Sequence, residues 1–119
     1  MAAAEVLVER GARVSPKNIA DGLAQVHWPG RLQILRRKPW VIVDGAHNAD
    51  SVRRLVKALK QYFDFERAIL IFGASSDKNI AGMVAELASF PDTVIVTQSR
   101  HPRAIAPDKP VSEFTVYRR

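Results

Sequence analysis

The pattern of hydrophobic and polar positions in residues 1–27 predicts two short helices. Residues 3–10 form the first, which should end near Gly11 because glycine is favoured just past a helix C-terminus. Ser15 followed by Pro16 predicts the start of the second, since serine is a good N-cap and proline suits the first helical position. Neither helix has enough apolar surface to fold alone. We therefore expect residues 1–27 to be the helical end of a preceding domain.

A strand–helix alternation follows from residue 28 onward. Leu32 and Ile34 alternate with polar residues, which is typical of a half-buried strand. Between residues 40 and 97, short continuous apolar runs predict three strands, and apolar residues at helical spacing predict a helix after each of the first two. Continuous apolar strands are expected to be buried on both faces. The fold class is therefore α/β, with a Rossmann-like, mostly parallel sheet flanked by helices.

The end of the chain is less regular. Three prolines fall after His101, and residues 114–117 form one weak candidate strand. A sheet of three or four strands that ends in a proline-rich segment looks incomplete. We therefore expect residues 28–119 to be a single α/β domain that is truncated at its C-terminus.

Composition narrows the class of protein. The chain has 119 residues, 47% of them hydrophobic, which is the size and composition of one globular domain. No apolar run approaches the 18 or so residues that span a membrane. The absence of cysteine excludes disulfides, zinc–thiolate sites and cysteine nucleophiles, and it fits a reducing compartment. We expect a cytoplasmic protein without a membrane partner.

A net charge of +6 raises the question of nucleic-acid binding. The basic residues cluster at 36–38, on one helical face between 53 and 60, and at 118–119. No phenylalanine or tyrosine is interleaved with these runs to stack on bases. Polyanionic small molecules are therefore the more natural partners, and we expect no nucleic acid.

The first candidate site is the loop of residues 44–50, at the carboxyl end of a predicted parallel strand, where open α/β sheets bind ligands. Asp44 ends the strand, and Asn48 can cap the following helix, whose N-terminus favours an anion. His47, just before that helix, can donate to an anion or move a proton. The alternative, that Asp44 and Asn48 only cap and turn the chain, stays open.

The second loop, residues 73–79, should form a wall of the site. Its Ser76 or Asp77 is a good helix N-cap, and a single lysine, Lys78, is weak evidence for a phosphate contact. Arg31 begins a strand, and its guanidinium can donate two hydrogen bonds to one anion. An arginine exposed to solvent without a ligand is the more common case. Arg103 follows the third strand of the 40–97 segment and could reach the same crevice.

Other residues and motifs add little chemistry. Trp28 and Trp40 are more typical of packing than of stacking on a ligand. The sequence has neither a phosphate-binding G-x-x-x-x-G-K-[ST] loop nor a G-x-G-x-x-G fingerprint, and no serine nucleophile motif. No cluster of histidines or carboxylates has metal-ligand spacing. We therefore expect no metal ligands in this chain and only part of a site.

The motifs, taken together, resemble a known family. W-P-G-R-L at 28–32, D-G-A-H-N at 44–48, F-G at 72–73 and D-K at 77–78 resemble the C-terminal domain of folylpolyglutamate synthase/dihydrofolate synthase, in the Mur-type ligase superfamily. The resemblance runs from about residue 3 to residue 106, and the paired first two motifs are the specific part.

Two positions depart from the family's pattern. The family usually has proline where this chain has Ala49, and often aspartate where it has Asn79. Neither position should carry chemistry. The tail after Pro107 matches no family element.

The resemblance implies an ATP-dependent ligase that adds L-glutamate to folate or dihydropteroate through an acyl phosphate, with this chain inactive alone. It also implies that the N-terminal and central domains of the same protein hold the phosphate-binding loop and the Mg²⁺ ligands. Arg31 would contact the ATP phosphates, Asp44 would bind the nucleotide at its ribose, and Asn48 would belong to the same ATP-binding group. His47 would be catalytic and bind substrate, near the transferred phosphoryl group or the incoming glutamate.

Two alternatives remain open from the sequence. The chain could be a self-contained α/β binding or interaction module in which D-G-A-H-N is only a capped turn. It could also belong to another Mur-type ligase that uses a different amino acid or acceptor, since the acceptor is read mainly in the domains that precede this one.

Overall fold

The computed structural model describes residues 2–117, with side chains described for residues 3–115. It confirms the α/β class. The elements are α1 (Ala2–Glu9), α2 (Pro16–Ala24), β1 (Gln33–Arg37), β2 (Trp40–Val43), α3 (Ala49–Tyr62), β3 (Ile69–Phe72), α4 (Ile80–Leu87), β4 (Thr93–Val96) and α5 (Asp108–Tyr117).

Both N-terminal helices are present where the sequence predicts them. α1 ends at Glu9, and Gly11 beyond it adopts a φ of +92°, the left-handed conformation that glycine tolerates. Ser15 is the N-cap of α2, and its side chain accepts a hydrogen bond from the Asn18 amide at 3.1 Å. α2 buries none of its residues. No helix within residues 2–117 is long and apolar enough to cross a membrane.

The strands form two sheets of two strands each. β3 and β4 are parallel, with Ile69 opposite Thr93 and Phe72 opposite Val96. β2 pairs with β1 in an antiparallel hairpin. The predicted mostly parallel sheet is thus parallel at β3–β4 only, because the two residues that join β1 to β2 permit no crossover.

The core lies on one side of the β3–β4 sheet. It joins that sheet to α3, α4 and α5 through eight buried side chains: Val52, Phe72, Ile80, Met83, Val84, Leu87, Ile105 and Phe114. The opposite face is uncovered, since Ile69 and Ile71 are each 68% exposed and Ile95 is 49% exposed. The expectation of strands buried on both faces is therefore wrong for this chain, in which helices cover only one face.

The predicted strand at residues 114–117 is wrong, because these residues belong to helix α5. Pro110 lies early in that helix, where proline is tolerated because the first amide hydrogens of a helix have no partner within it. Pro110 and Phe114 are both buried, and they lie one helical turn apart. Phe114 packs edge-on against Phe72, with 5.5 Å between ring centroids.

Candidate active site

The carboxyl ends of β2, β3 and β4 meet around one cavity of about 520 Å³. Residues 44–47 form one wall, residues 73–75 with Lys78 form the second, and residues 97–99 close the third. The predicted location of the site, beyond the carboxyl ends of the strands, therefore coincides with a cavity. For the loop after β4, sequence reasoning named Arg103 but not residues 97–99, although their position directly after a strand was a usable signal.

Asp44 holds two segments of the chain together. Its Oδ2 accepts a hydrogen bond from the amide of Leu32, and its Oδ1 accepts one from the amide of Ala46, both at 2.7 Å. Alongside, the Gly45 amide donates to the carbonyl oxygen of Gly30 at 2.7 Å. The W-P-G-R turn and the D-G-A-H-N loop, which lie a dozen residues apart, are thus fixed to each other at the cavity edge.

Arg31 is exposed and lies beside the same loop. A Cβ built on Gly45 would be 3.5 Å from Arg31 Nη1, and the guanidinium carbon lies 5.7 Å from the centre of the Trp28 ring. Trp28 is 67% exposed, so the prediction that it is a packing residue is wrong. Trp40 is half-buried and packs edge-on against Phe63, as that prediction expected.

His47 faces the cavity with one ring nitrogen already engaged. Its Nδ1 lies 3.0 Å from the carbonyl oxygen of Gly45. Because a carbonyl only accepts hydrogen bonds, Nδ1 carries the proton, and Nε2 is left for a ligand. The side chain is exposed, so a ligand in the cavity can reach it.

Asn48 is the N-cap of α3, as predicted. Its side-chain oxygen accepts from the Ser51 amide at 2.8 Å, and the Ser51 hydroxyl accepts from the Asn48 amide at 3.1 Å, which is a capping box. The interpretation of Asn48 as a cap is thus confirmed, and its contact with ATP stays a prediction. The cap also brings the positive end of the α3 dipole to the cavity edge.

The loop after β3 carries a cation that faces the cavity. Lys78 is 33% exposed and donates to Asp77 at 2.7 Å. This hydrogen bond, aided by the charges of Lys78 and Arg103, holds the pKa of Asp77 below its ordinary value. The prediction that Ser76 or Asp77 caps α4 is wrong, because Asn79 accepts from the Gly82 amide at 3.0 Å instead.

Arg103 supports the cavity wall through its main chain. Its carbonyl oxygen accepts from the Ser76 amide at 2.8 Å, and the Ile105 amide donates to Ala74 at 2.9 Å. Ser75 and Ala104 form an antiparallel bridge between the two loops. The Arg103 side chain is exposed and does not line the cavity, so its predicted reach into the crevice is not seen.

The side chains that line the cavity do not fit a magnesium ion. Nowhere in residues 2–117 do three or more histidine, cysteine, aspartate or glutamate side chains converge as metal ligands. Asp44 is the carboxylate at the cavity, and both of its oxygens already accept an amide hydrogen. The described part of this chain therefore offers no set of oxygen ligands of the kind that Mg²⁺ requires.

The sequence that forms this site is similar to sequences of known proteins. Residues 30–118 match the family described as Mur ligase, glutamate ligase domain. The chain belongs to the Mur ligase family. This Mur ligase domain is 40% identical over 93 residues to the folylpolyglutamate synthase of Lacticaseibacillus casei. That match covers 77% of the chain and 22% of the relative, so the chain spans about a fifth of its relative's length.

Two solved structures share the fold of this Mur ligase domain. Folylpolyglutamate synthase of Mycobacterium tuberculosis, complexed with ADP and AMPPCP, matches with a TM-score of 0.87 and 31% identity, covering 98% of this chain and 26% of that one. A bifunctional folylpolyglutamate synthase/dihydrofolate synthase with Mn, AMPPNP and L-glutamate bound matches with a TM-score of 0.79 and 31% identity, covering 93% of this chain and 27% of that one. The resemblance stated from the motifs is thereby confirmed.

Proposed function

We propose that this domain serves an ATP-dependent ligase that adds L-glutamate to folate or dihydropteroate in the cytoplasm. The observation that carries the proposal is the cavity at the carboxyl ends of β2, β3 and β4, where His47 and Lys78 lie beside the W-P-G-R turn and the N-terminus of α3. Such a group of cationic and dipolar donors suits phosphate and carboxylate groups. The similar proteins support ATP, L-glutamate and folate as substrates, since one is named folylpolyglutamate synthase and another has AMPPNP and L-glutamate bound.

The reaction has two steps. The acceptor carboxylate attacks the γ-phosphorus of ATP, giving an acyl phosphate and ADP. The amine of glutamate then attacks the acyl carbon, which forms the amide bond and expels phosphate. The protein must stabilise the negative charge of the transferred phosphoryl group and take a proton from the attacking amine.

We assign each site residue a role in this reaction from its position. The nucleotide lies on the side of Arg31, Asp44 and Asn48, where the guanidinium and the start of α3 offset phosphate charge. His47, through Nε2, takes the proton of the amine or donates to the departing phosphate, depending on its protonation state. Lys78, in the wall after β3, is placed to bind a carboxylate of the incoming amino acid.

The rest of the enzyme lies in other domains. Magnesium, when bound, would supply positive charge at the phosphates of ATP, and we place its ligands in a central domain of the same protein. We propose that residues 1–27 end that domain and that residues 28–119 belong to the C-terminal domain. The chain alone is then inactive.

A chimera tests the proposal. The segment of the Lacticaseibacillus casei synthase that aligns over 93 residues is replaced by the matching segment of this chain, and ATP-dependent glutamate addition to folate is measured. We expect activity in the chimera, and a loss of about 100-fold in its Arg31→Ala and His47→Ala variants, as for removal of a transition-state donor. Asp64→Asn, in the exposed loop after α3, is the matched control and should leave activity unchanged.

The alternatives give different results in the same assay. A self-contained binding module predicts a folded chimera with no glutamate addition. Unchanged kinetics in both the Arg31 and His47 variants of an active chimera would contradict the site assignment. Addition of a different amino acid, with glutamate refused, would favour another Mur-type ligase.

A further inference from the structure

The Asp44 carboxylate has a geometric task that its expected contact with the nucleotide does not explain. We define the Asp44 bridge as this carboxylate together with the two amides that donate to it, those of Leu32 and Ala46. The amide of Leu32 comes directly after Arg31, and the amide of Ala46 comes directly before His47. One side chain thus fixes the backbone next to both proposed site residues.

Leu32 adopts a backbone conformation that does not form easily. Its φ is +42°, and it is the one non-glycine residue with positive φ among those the structure describes. A branched side chain is disfavoured in this left-handed region, and such strain persists only where surrounding contacts hold it. The Leu32 amide makes one such contact, the hydrogen bond to Asp44 Oδ2.

This local conformation determines where Arg31 lies. Leu32 turns the chain sharply between the exposed W-P-G-R turn and strand β1. On the other side of Arg31, the carbonyl oxygen of Gly30 accepts a hydrogen bond from the Gly45 amide. Arg31 lies between these two anchored points, and its guanidinium is thereby held beside Gly45 at the edge of the cavity. Without the bridge, Leu32 would relax towards negative φ, and Arg31 would point elsewhere.

We propose that Asp44 is a positioning residue that serves the nucleotide through Arg31, by holding Leu32 in its left-handed conformation. This inference rests on the proposed function in so far as Arg31 binds ATP. A carboxylate is needed because both of its partners are donors. An asparagine could accept from only one of the two amides, and its own NH₂ group would face the other.

The bridge itself is tested on this 119-residue chain by amide hydrogen exchange, followed by NMR. Because the side-chain oxygen of asparagine can still accept from the Ala46 amide two residues away, we expect the Leu32 amide to exchange at least 10-fold faster in Asp44→Asn than in the parent chain, while core amides in β3 keep their protection. Asp64→Asn should leave both amides unchanged. Equal exchange of the Leu32 amide in the parent and in Asp44→Asn would overturn the bridge.

The route through Arg31 is tested in the chimera with a double-mutant cycle. We expect Asp44→Asn to lower kcat/KM for ATP at least 10-fold, and to lower it no further in the Arg31→Ala background. The loss should be the same with ATP, 2′-deoxy-ATP and 3′-deoxy-ATP. Multiplying losses in the double variant would show that Asp44 acts independently of Arg31. A loss that disappears with a deoxynucleotide would show direct ribose binding. Either result would overturn the inference.

A rescue variant separates positioning from a general loss of folding. Glycine adopts positive φ without strain, so Leu32→Gly should restore part of the activity that Asp44→Asn loses. Absence of any rescue in a folded double variant contradicts the proposed role of Leu32. If the parent chimera adds no glutamate, the proposed function fails. If Arg31→Ala leaves ligation unchanged, only the assignment of Arg31 to ATP fails. In both cases the exchange experiment still decides whether the bridge exists.

Discussion

The carbonyl oxygen of Gly30 lies so close to Gly45 that a side chain at position 45 would crowd it. A Cβ there would be 3.5 Å from Arg31 Nη1 and only 3.3 Å from the carbonyl oxygen of Gly30, which already accepts the Gly45 amide at 2.7 Å. The glycine of D-G-A-H-N is thus explained by the close approach of two loops. Its φ is not positive, so only this crowding opposes a larger residue.

The first prediction concerns this contact. Gly45→Ala should lower the free energy of unfolding by about 1 kcal/mol, the lower end of the usual cost of an extra methyl group in a packed place, because the carbonyl oxygen of Gly30 must move by a few tenths of an ångström. Urea unfolding followed by circular dichroism measures the change. Gly22→Ala is the matched control, because a Cβ there meets nothing within 4 Å. It should be neutral or stabilise by up to about 1 kcal/mol, since alanine suits a helix interior better than glycine. Equal effects at the two positions would contradict the crowding.

A second prediction follows from the start of α3. Asn48→Ala removes the oxygen that accepts from the Ser51 amide, and should cost about 1 kcal/mol of unfolding free energy. Asn48→Asp is the matched control, because aspartate caps as well as asparagine and suits the positive end of the helix dipole. Both variants are compared by urea unfolding. If Asp and Ala at this position proved equally destabilising, the capping role would be refuted.

The third prediction concerns the pKa of Asp77. Lys78→Met removes the hydrogen bond that is the largest cause of its lowering, so this pKa should rise towards its ordinary value of 3.8. NMR titration of the carboxyl carbon measures the pKa directly. Arg103→Gln, which removes a weaker and purely Coulombic influence, should raise the pKa by less. A larger rise in the Arg103 variant would contradict the assigned order of causes.

The ion pair of Lys78 and Asp77 also determines the direction in which stability changes with pH. A carboxyl group whose pKa is lower in the folded state stabilises the fold above its unfolded pKa, and loses this contribution as the pH falls through the folded pKa. The stabilisation by Lys78 and Asp77 should therefore be present at neutral pH and disappear below about pH 4. Since both groups are partly exposed, the effect is small and weakens further in salt.

The sequence predicted elements where the signal is local. α3 and α4 follow from apolar residues at helical spacing, and the caps Ser15 and Asn48 follow from short polar side chains before a helix. α5 was missed because prolines suggested irregular chain, whereas Pro110 and Phe114 already had helical spacing. Local patterns therefore predict the apolar faces of α3 and α4, but not a helix such as α5 whose spacing is obscured by prolines.

The site depends on contacts that no local pattern shows. Asp44 was predicted as a ligand or a turn residue, but its partner Leu32 lies 12 residues away. The left-handed conformation of Leu32 is against the preference of its residue type, so propensity pointed the wrong way. The expectation that the strands are buried on both faces was wrong for a related reason, since the apolar composition of a strand does not show what covers each of its faces.

The fourth prediction uses the unequal faces of the β3–β4 sheet. Phe72 is 5% exposed and packs against Phe114, so Phe72→Ala should cost about 3–5 kcal/mol through lost burial and a cavity. Its neighbour Ile71 is 68% exposed, and Ile71→Thr, which keeps a β-branched side chain, should change the free energy of unfolding by less than about 0.5 kcal/mol. Urea unfolding of both variants measures the contrast. Comparable losses would mean that the face of Ile71 is covered in solution, and the one-sided core described for this chain would then be wrong.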